Sequence, residues 1–296
     1  MKAAVIGYGV MGRKHVSVLS SMKGVNFVGV VDPLVSSAPP HPLYQSVAQL
    51  LEKTKVDFAV VATSTSSHAA VATTLMIHGV HTLIEKPLTS TTEEARELDR
   101  LSTQQHLHAA VGFTERFNPT IQCLREHLSA ADVHSLEAHR LSPYPSRISD
   151  VGVRLDLAVH DIDLARYLTN SSVEDFSVVE SRTKEHEDHS VFLLETDSEC
   201  PITITSSWLA PFRSRVLKIN AGEARYEADL YNRVVKRYTY INNGRYAVEQ
   251  LYVPSRDPLR EQLTAFKNYV ETGDRGELAT LQDGLRALQI ALGEKE

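Results

Sequence analysis

Short apolar runs alternate with amphipathic segments through the first third of the chain. Runs rich in β-branched residues predict buried strands at 3–7, 26–32, 57–63, 81–87 and 108–113. Segments with helical spacing lie between them, for example at 46–54, 67–79 and 93–105. Continuous apolar strands separated by helices imply a parallel sheet that is covered on both faces. This part of the chain therefore predicts an α/β domain with a doubly wound parallel sheet, the Rossmann arrangement.

The pattern changes after about residue 116. Most later runs are strand-like and follow one another without intervening helices, and Asn243-Gly244 is a strong hairpin signal. Helical spacing remains at 116–128, 155–168, 258–273 and 281–292. We therefore expect a second, α+β domain with a mainly antiparallel open sheet. The predicted division is 1–116 and 117–296, with the C-terminal helix packing back on the first domain.

Composition narrows the class of protein. The 296 residues carry a formal net charge of -6, which argues against a nucleic-acid-binding surface as the main function. Only two cysteines occur, Cys123 and Cys200, as expected for a reducing compartment and not for a disulfide framework. No apolar run approaches membrane-spanning length, and glycines interrupt the N-terminal apolar segment before a signal peptide could form. A cytoplasmic protein with no membrane partner is expected.

The stretch GYGVMG, Gly7 to Gly12, has the spacing G-x-G-x-x-G directly after the first strand and at the start of a helix. In that context Gly7 permits a tight turn, Gly9 lets a pyrophosphate approach, and Gly12 allows close packing of the helix on the strand. Val10 and Met11 begin the helix, and the N-terminus of that helix faces the phosphates. A glycine-rich turn that binds nothing is the alternative.

Asp32 ends the second strand, about 20 residues after the glycine motif. At that spacing in sequence a carboxylate binds the ribose diol of NAD and repels the 2′-phosphate of NADP. An ordinary Asp-Pro turn is the alternative at this position. The sequence favours NAD as the cofactor.

Polar residues also follow the next two strands of the predicted sheet. Thr63, Thr65 and His68 lie where a doubly wound sheet places its ligand, although capping of a helix by Ser66 or Ser67 would explain this stretch equally well. Glu85 and Lys86 end the following strand and are also expected to contact the cofactor. A lysine at a buried strand end is costly unless it is paired or used, so Lys86 is a candidate functional group.

The predicted helix 155–168 combines a hydrophobic face with several carboxylates and one histidine. In an α-helix, residues four apart share a face, so Asp156 and His160 should lie side by side. Such a pair is either a structural Asp–His contact or an acid–base device. An imidazole with a pKa near ~6.5 suits removal of a hydroxyl proton.

The motifs GYGVMG, EKPL, ERFNP and DLAVHDID, in this order, resemble the glucose–fructose oxidoreductase and inositol dehydrogenase family of NAD(P)-dependent sugar oxidoreductases. This resemblance covers nearly the whole chain. It implies a catalytic group formed by Lys86, Asp156 and His160 in the cleft between the domains. It also implies a proline, here Pro87, that often follows the catalytic lysine in the cis form.

The segments ERFNPTIQCL and SPYPSRISDVGVRLDLAVHDIDLARYL are similar to the branch of the family that oxidises UDP-N-acetylglucosamine at C3. That similarity implies NAD, a nucleotide-sugar substrate, and a downstream aminotransferase that uses the 3-keto sugar, as in 2,3-diamino lipid A precursors. It also implies a homo-oligomer, a dimer or a tetramer, formed through the open face of the second sheet.

In the implied reaction His160 removes the hydroxyl proton and Lys86 stabilises the alkoxide; the opposite assignment of His160 and Lys86 stays open. Asp156 either orients the imidazole and stabilises its charged form or contacts the neighbouring hydroxyl. Arg116, Asn118 and Arg147 are the expected substrate contacts, arginine being suited to a diphosphate. Surface ion pairs would explain these three residues equally well. The cluster HEDH, 186–189, is more typical of a solvated turn than of a metal site, and no metal is expected.

Other functions of the same fold remain open. An inositol or hexose dehydrogenase, a ketoreductase, or a redox-neutral NAD-dependent glycosidase would use the same three residues. A non-catalytic NAD-binding sensor is a further alternative, but a sensor needs no proton-transfer group.

Overall fold

The computed structural model describes residues 1–35, 40–145 and 151–295. The chain divides into two compact units. The first comprises Met1–Thr114 and Leu259–Leu288, and the second comprises Glu115–Pro258 and Gln289–Glu296. The helical segment 259–288, which the sequence-based division placed in the second domain, thus belongs to the first unit.

The first unit contains a six-stranded parallel sheet in the order β3-β2-β1-β4-β5-β6. Its strands are β1 Lys2–Ile6, β2 Asn26–Val31, β3 Leu43–Tyr44, β4 Phe58–Val61, β5 His81–Glu85 and β6 Ala109–Gly112. Four helices connect them: α1 Val10–Leu19, α2 Val47–Lys53, α3 Thr65–Ile77 and α4 Thr92–Gln104. The strand order reverses between β1 and β4, which is where a doubly wound sheet binds its ligand.

The central strands of this sheet are largely buried because helices cover both faces. Every residue of β4 and β6 is buried, as is all of β1 except its first residue. The two-residue strand β3 is an element that the apolar pattern did not predict, since so short an edge strand carries no periodicity.

The second unit contains an eight-stranded sheet in the order β14-β13-β12-β11-β7-β10-β9-β8, antiparallel except for the pair β7–β10. Its strands are β7 Val133–Pro143, β8 Val173–Ser181, β9 His189–Thr196, β10 Ile202–Ser207, β11 Leu209–Ala221, β12 Ala224–Asp229, β13 Val234–Asn242 and β14 Arg245–Leu251. Its helices are α5 Pro119–His127 and α6 Val159–Thr169. The predicted fold class, a Rossmann domain followed by a mainly antiparallel α+β domain, is confirmed.

Two long helices complete the chain, α7 Pro258–Thr272 and α8 Leu281–Leu292. In the first unit Phe266 of α7 packs edge-on against Phe58 of β4, with ring centroids 5.7 Å apart. Gly284 of α8 lies so close to Val111 that a Cβ there would overlap the valine side chain. In the described part of the chain, no helix combines the length and the apolar character needed to span a bilayer.

Candidate active site

The glycine loop after β1 has the geometry that a dinucleotide phosphate requires. Gly7 has φ of +96°, a left-handed conformation, and a Cβ at Gly12 would overlap the Gly7 carbonyl oxygen. A Cβ at Gly9 would meet nothing within 4 Å, so the loop is open at this point. Gly9 is also the N-cap of α1, which has no side-chain cap and no acidic residue in its first turn. Its N–H groups and helix dipole therefore remain available for an anion, and these residues fit a bound dinucleotide.

Asp32 follows β2 beside this loop. Its Oδ2 accepts a hydrogen bond of 2.8 Å from the backbone N–H of Tyr8, and its Oδ1 accepts one of 2.8 Å from Leu34. Two backbone donors thus fix the carboxylate, and each oxygen keeps a lone pair for a ribose hydroxyl. The position suits the predicted role in NAD binding, and it is also an Asp-Pro turn.

The loop between β4 and α3 borders the glycine loop, because a Cβ at Gly7 would overlap the carbonyl oxygen of Ala62. Helix α3 begins at Thr65 with Ser64 as an N-cap that makes no side-chain cap bond. The alternative of a cap by Ser66 or Ser67 is therefore wrong, since both lie inside the first turn. Thr63 and Thr65 are half-buried at this helix start.

His68 is buried and does not present its ring to a ligand. Its Nδ1 lies 3.0 Å from the carbonyl oxygen of Pro87, and its Nε2 lies 3.2 Å from that of Thr63. Burial lowers the pKa of His68, although the two carbonyl groups oppose this effect. The predicted direct contact of His68 with the cofactor does not fit this placement. His68 instead lies between the loop after β4 and the loop after β5, and in its neutral form it donates to only one of the two carbonyl oxygens.

Lys86 follows β5 directly, and the Lys86–Pro87 peptide bond is cis. Lys86 is half-buried, whereas its neighbour Glu85 is buried. The Glu85 Oε1 lies 2.7 Å from Nε2 of His15, a fully buried residue of α1. Glu85 therefore contacts helix α1, and its predicted role as a cofactor ligand is not supported by this contact.

In the second unit, Asp156 and His160 lie on a helix that is not α-helical throughout. Residues Arg154–Ala158 form a π-helical turn, and α6 begins only at Val159. The expectation of one continuous α-helix over 155–168 is therefore wrong. The wider turn changes the angle about the axis between Asp156 and His160. Both side chains are half-buried, and π-helical turns occur frequently at functional sites.

Glu187 holds the start of this helical segment by accepting hydrogen bonds from two backbone N–H groups. The backbone N–H of Val153 donates to the Glu187 carbonyl at 2.9 Å, and that of Arg154 donates to the Glu187 carboxylate at 3.3 Å. A Cβ at Gly152 would overlap that carboxylate, so a larger residue there would require the Glu187 side chain to move. The neighbouring Asp188 is fully buried and accepts a bond of 2.8 Å from the N–H of Thr183. The expected turn does precede a strand, which begins at His189, but Asp188 within it is buried and not solvated.

A buried ionic network holds the first turn of α6. Arg140 of β7 donates Nε and Nη2 to the two carboxylate oxygens of Asp161, at 2.8 and 2.7 Å, and Nη1 to Glu115 at 3.1 Å. Arg215 of β11, which is paired with Arg140 across the sheet, also donates to Glu115. Burial opposes ionisation of Glu115, but Arg140 and Arg215 hold its pKa below the usual value. The sequence alone did not identify this network.

Arg116 and Asn118 are committed to the fold. Arg116 is buried and donates to both carboxylate oxygens of Asp163, at 2.8 and 2.6 Å. Asn118 caps α5 through a bond from the N–H of Thr120 at 3.0 Å, and its amide nitrogen donates to Glu115 at 3.0 Å. Their placement argues against the predicted substrate contact and also against the alternative of surface ion pairs. Arg147 lies outside the described residues.

The sequence did not predict the structural roles of three residues at this site: His15, Arg140 and Glu187. His15 had a detectable signal, because it is a polar residue on the buried face of α1, close to Val16 and Leu19. Arg140 and Glu187 depend on partners distant in sequence, which spacing cannot reveal. Among the described residues, no group of three or more His, Cys, Asp or Glu side chains could hold a metal ion.

Two models of one family match most of the chain. Residues 1–113 match the model described as an oxidoreductase family with an NAD-binding Rossmann fold, and residues 130–227 match the C-terminal domain model of the GFO/IDH/MocA family. The first match confirms the prediction of an NAD cofactor.

Named relatives agree with the family models. The UDP-N-acetylglucosamine 3-dehydrogenase of Acidithiobacillus ferrooxidans is 38% identical over 60% of this chain and 58% of its own length. The NAD-dependent scyllo-inositol 2-dehydrogenase of Bacillus subtilis is 25% identical over 60% of this chain and 56% of its own. The chain thus matches less than two thirds of the length of either relative.

The structural match extends further than the sequence match. The solved structure of the Acidithiobacillus ferrooxidans enzyme superposes with a TM-score of 0.91 and 29% identity, covering 100% of this chain and 96% of that one. Together with both domain models, this similarity identifies the chain as a member of the GFO/IDH/MocA oxidoreductase family.

Proposed function

We propose that this chain is an NAD-dependent dehydrogenase that oxidises a secondary alcohol of a nucleotide sugar, with UDP-N-acetylglucosamine oxidised at C3 as the first candidate reaction. The proposal rests on the presence, in one chain, of residues suited to binding the cofactor and of residues suited to proton transfer. In the first unit the glycine loop is open, and Lys86 follows strand β5. In the second unit Asp156 and His160 lie on a helical segment that is held by hydrogen bonds at its start. The name of the Acidithiobacillus ferrooxidans relative supports the choice of substrate.

The proposed roles follow from the charge that each side chain carries. When bound, NAD supplies the hydride acceptor. His160, as a neutral imidazole, takes the proton of the substrate hydroxyl. Lys86, as a cation, donates a hydrogen bond to the same oxygen and stabilises its alkoxide form. Asp156 stabilises the imidazolium that results.

The framework around α6 supports precise positioning of His160. Glu187 holds the residues that precede the π-helical turn, and Arg140 holds Asp161, the residue directly after His160. The segment that carries Asp156 and His160 is therefore fixed at both ends by charged groups. Catalytic side chains gain most from such support, because small displacements of a reacting group cost large factors in rate.

We also propose the reaction that follows, the oligomeric state and the cellular location of the enzyme. A 3-keto sugar is a substrate for an aminotransferase, which we place downstream, as in the synthesis of 2,3-diamino lipid A precursors. Large apolar side chains are exposed on the outer strands of the second sheet, among them Tyr240, Tyr246 and Val248. Exposed apolar groups of this kind support a homo-oligomer, a dimer or a tetramer. The two buried, unpaired cysteines suit a cytoplasmic location.

The decisive experiment is a coupled assay. Enzyme, NAD and UDP-N-acetylglucosamine are mixed with a sugar aminotransferase, its cofactor and glutamate, and formation of NADH and of the 3-amino sugar is followed. Wild type should form both, whereas Lys86→Met and His160→Gln should lose about 10²-fold or more of the rate. Absence of turnover by wild type, with the coupling enzyme shown to be active, would reject this substrate.

A dehydrogenase of free inositols or hexoses is the second candidate. It is favoured by the placement of Arg116 and Asn118, because two of the three residues expected at the nucleotide diphosphate serve the fold instead. Parallel reactions with N-acetylglucosamine, myo-inositol and scyllo-inositol separate the candidates, since a free-sugar enzyme does not need the UDP group. Release of free sugar from a glycoside without net NADH would instead reveal the redox-neutral reaction.

A further inference from the structure

Strand β11 of the second unit carries a bulge that is followed by two arginines with no role in the chemistry proposed above. The register of β11 against β7 shifts between Leu209 and Ser214, so residues 210–213 form the bulge. Arg213 is its last residue and is exposed, and Arg215 follows on the paired part of the strand. Bulges are frequent next to active sites because they re-aim side chains.

One edge of the Arg215 guanidinium is fixed by the fold. Its Nη1 donates to Oε1 of Glu115, a buried carboxylate. Arg140, the register partner of Arg215, donates to the same oxygen at 3.1 Å. Directly opposed residues of antiparallel strands share a face of the sheet, and on this face Arg140 binds Asp161 of α6. Arg215 therefore lies on the side of the sheet that faces the first turn of α6, the turn that carries His160.

The other edge of the Arg215 guanidinium is open. Among the described residues, its Nε and Nη2 have no hydrogen-bond partner, the side chain is 41% exposed, and neither nitrogen is buried. Arg140, by contrast, uses all three of its nitrogens inside the protein. Nε and Nη2 together donate two parallel bonds to a phosphate or a carboxylate. Because Glu115 already orients this fork, little conformational freedom is lost when it binds an anion.

The charges around Arg215 also favour an anion. The two carboxylates of the buried network are balanced by its two arginines. Arg213 adds a further positive charge, and within the described residues it has no ion pair. Burial, followed by repulsion from Arg140, lowers the pKa of Arg215 in spite of the two carboxylates, and Arg213 contributes to the repulsion. A bound anion would relieve this repulsion.

We propose that Arg215 and Arg213 bind the diphosphate of the nucleotide-sugar substrate, Arg215 through the two donors of its open edge and Arg213 through its charge. The inference rests on the proposed function, and it names the residues that would distinguish a nucleotide sugar from a free sugar. Support of Glu115 alone does not explain the open edge, because a lysine at position 215 would also supply the charge that this carboxylate needs.

The diphosphate site is tested by calorimetric titration of UDP into protein saturated with NADH, so that UDP does not enter the dinucleotide site. Wild type should bind UDP at least about tenfold more tightly than uridine, which has no phosphate. Arg215→Lys keeps the charge and removes the fork, and should raise the Kd of UDP about tenfold. Arg213→Gln should raise it about threefold or more. Arg245→Gln, which removes an exposed arginine of β14 that donates to Asn242, is the matched control.

The same variants separate binding of the diphosphate from a role in the fold. With UDP-N-acetylglucosamine, Arg215→Lys should raise KM about tenfold and change kcat less. Equal affinity of wild type for UDP and uridine, or an unchanged Kd of UDP in both arginine variants, would overturn the proposal. Equal losses of UDP and uridine affinity in both variants would also overturn it. Arg213 is exposed, so Arg213→Gln decides the question even if Arg215→Lys does not fold.

Failure of this inference and failure of the proposed function give different results. If UDP binds and depends on both arginines but no nucleotide sugar is oxidised, the proposed reaction is wrong and the diphosphate site stands. If a sugar without phosphate is oxidised and UDP does not bind, the diphosphate site is wrong and the dehydrogenase activity stands.

Discussion

Arg140 binds both carboxylate oxygens of Asp161, the residue that directly follows His160 in the first turn of α6. The Nε and Nη2 bonds are 2.8 and 2.7 Å long, and the two side chains have exposures of 2% and 4%. Burial without partners would be very unfavourable for either group, and the pair is also connected to Glu115. The helix that carries His160 is therefore attached to the sheet by an ion pair that water does not reach.

Replacement of one partner should destabilise the fold strongly. Arg140→Met leaves the buried Asp161 carboxylate without its counterion, which costs about 3–5 kcal/mol of unfolding free energy. Urea denaturation followed by circular dichroism measures the loss. The matched control is Arg100→Met, because Arg100 pairs with Glu97 on the exposed surface of α4 and its removal should barely change the midpoint. Equal effects at the two sites would contradict the assignment.

The glycines of the loop after β1 should separate cofactor binding from folding. Gly9→Ala meets no protein atom, so the fold should keep its stability while affinity for NADH falls on the order of tenfold, because the methyl group occupies the phosphate space. Gly12→Ala overlaps the Gly7 carbonyl and should destabilise the first unit by about 1–3 kcal/mol. Thermal melts and NADH titration of both variants give the comparison. Loss of stability in Gly9→Ala would show that its space serves the fold.

Asp32 should determine the choice between the two nicotinamide dinucleotides. Asp32→Asn leaves only one acceptor oxygen for the two N–H groups of Tyr8 and Leu34. It also removes the charge that repels a 2′-phosphate. The ratio of kcat/KM for NAD to that for NADP should fall about tenfold or more, since a hydrogen bond to a charged group is lost. An unchanged ratio would favour the simple Asp-Pro turn at this position.

His68 should make the first unit sensitive to acid. Its pKa in the folded protein is lowered by burial, while in the unfolded chain it is the ordinary value of 6.5. Below pH 6.5 the unfolded chain binds a proton that the folded protein does not, so stability falls with pH until the lower folded pKa is passed. The stability advantage of wild type over His68→Gln should therefore shrink from pH 7 towards pH 5. Urea midpoints at several pH values measure it, and a constant advantage would contradict the assignment.

The elements that the sequence predicts well are those with a strong local signal. Helix α8 spans the predicted residues 281–292, and the glycine loop follows β1 as its spacing indicates. The π-helical turn at Arg154–Ala158 was missed because the apolar residues there keep α-helical spacing while tertiary contacts fix the start of the segment. The roles of Arg116 and Asn118 were assigned from the motif ERFNP, whereas their actual partners are distant in sequence or belong to a local cap.

We propose that Lys86 and His160 act on the same hydroxyl group. Single-turnover hydride transfer from UDP-N-acetylglucosamine to NAD, measured by stopped-flow absorbance of NADH, tests it in Lys86→Met, His160→Gln and the double variant. Each single variant should lose a factor on the order of 10²–10⁴, and the double variant should be hardly slower than the slower single variant, because groups that act as a unit are not additive. Losses that multiply in the double variant, or a single variant with full rate, would contradict the claim.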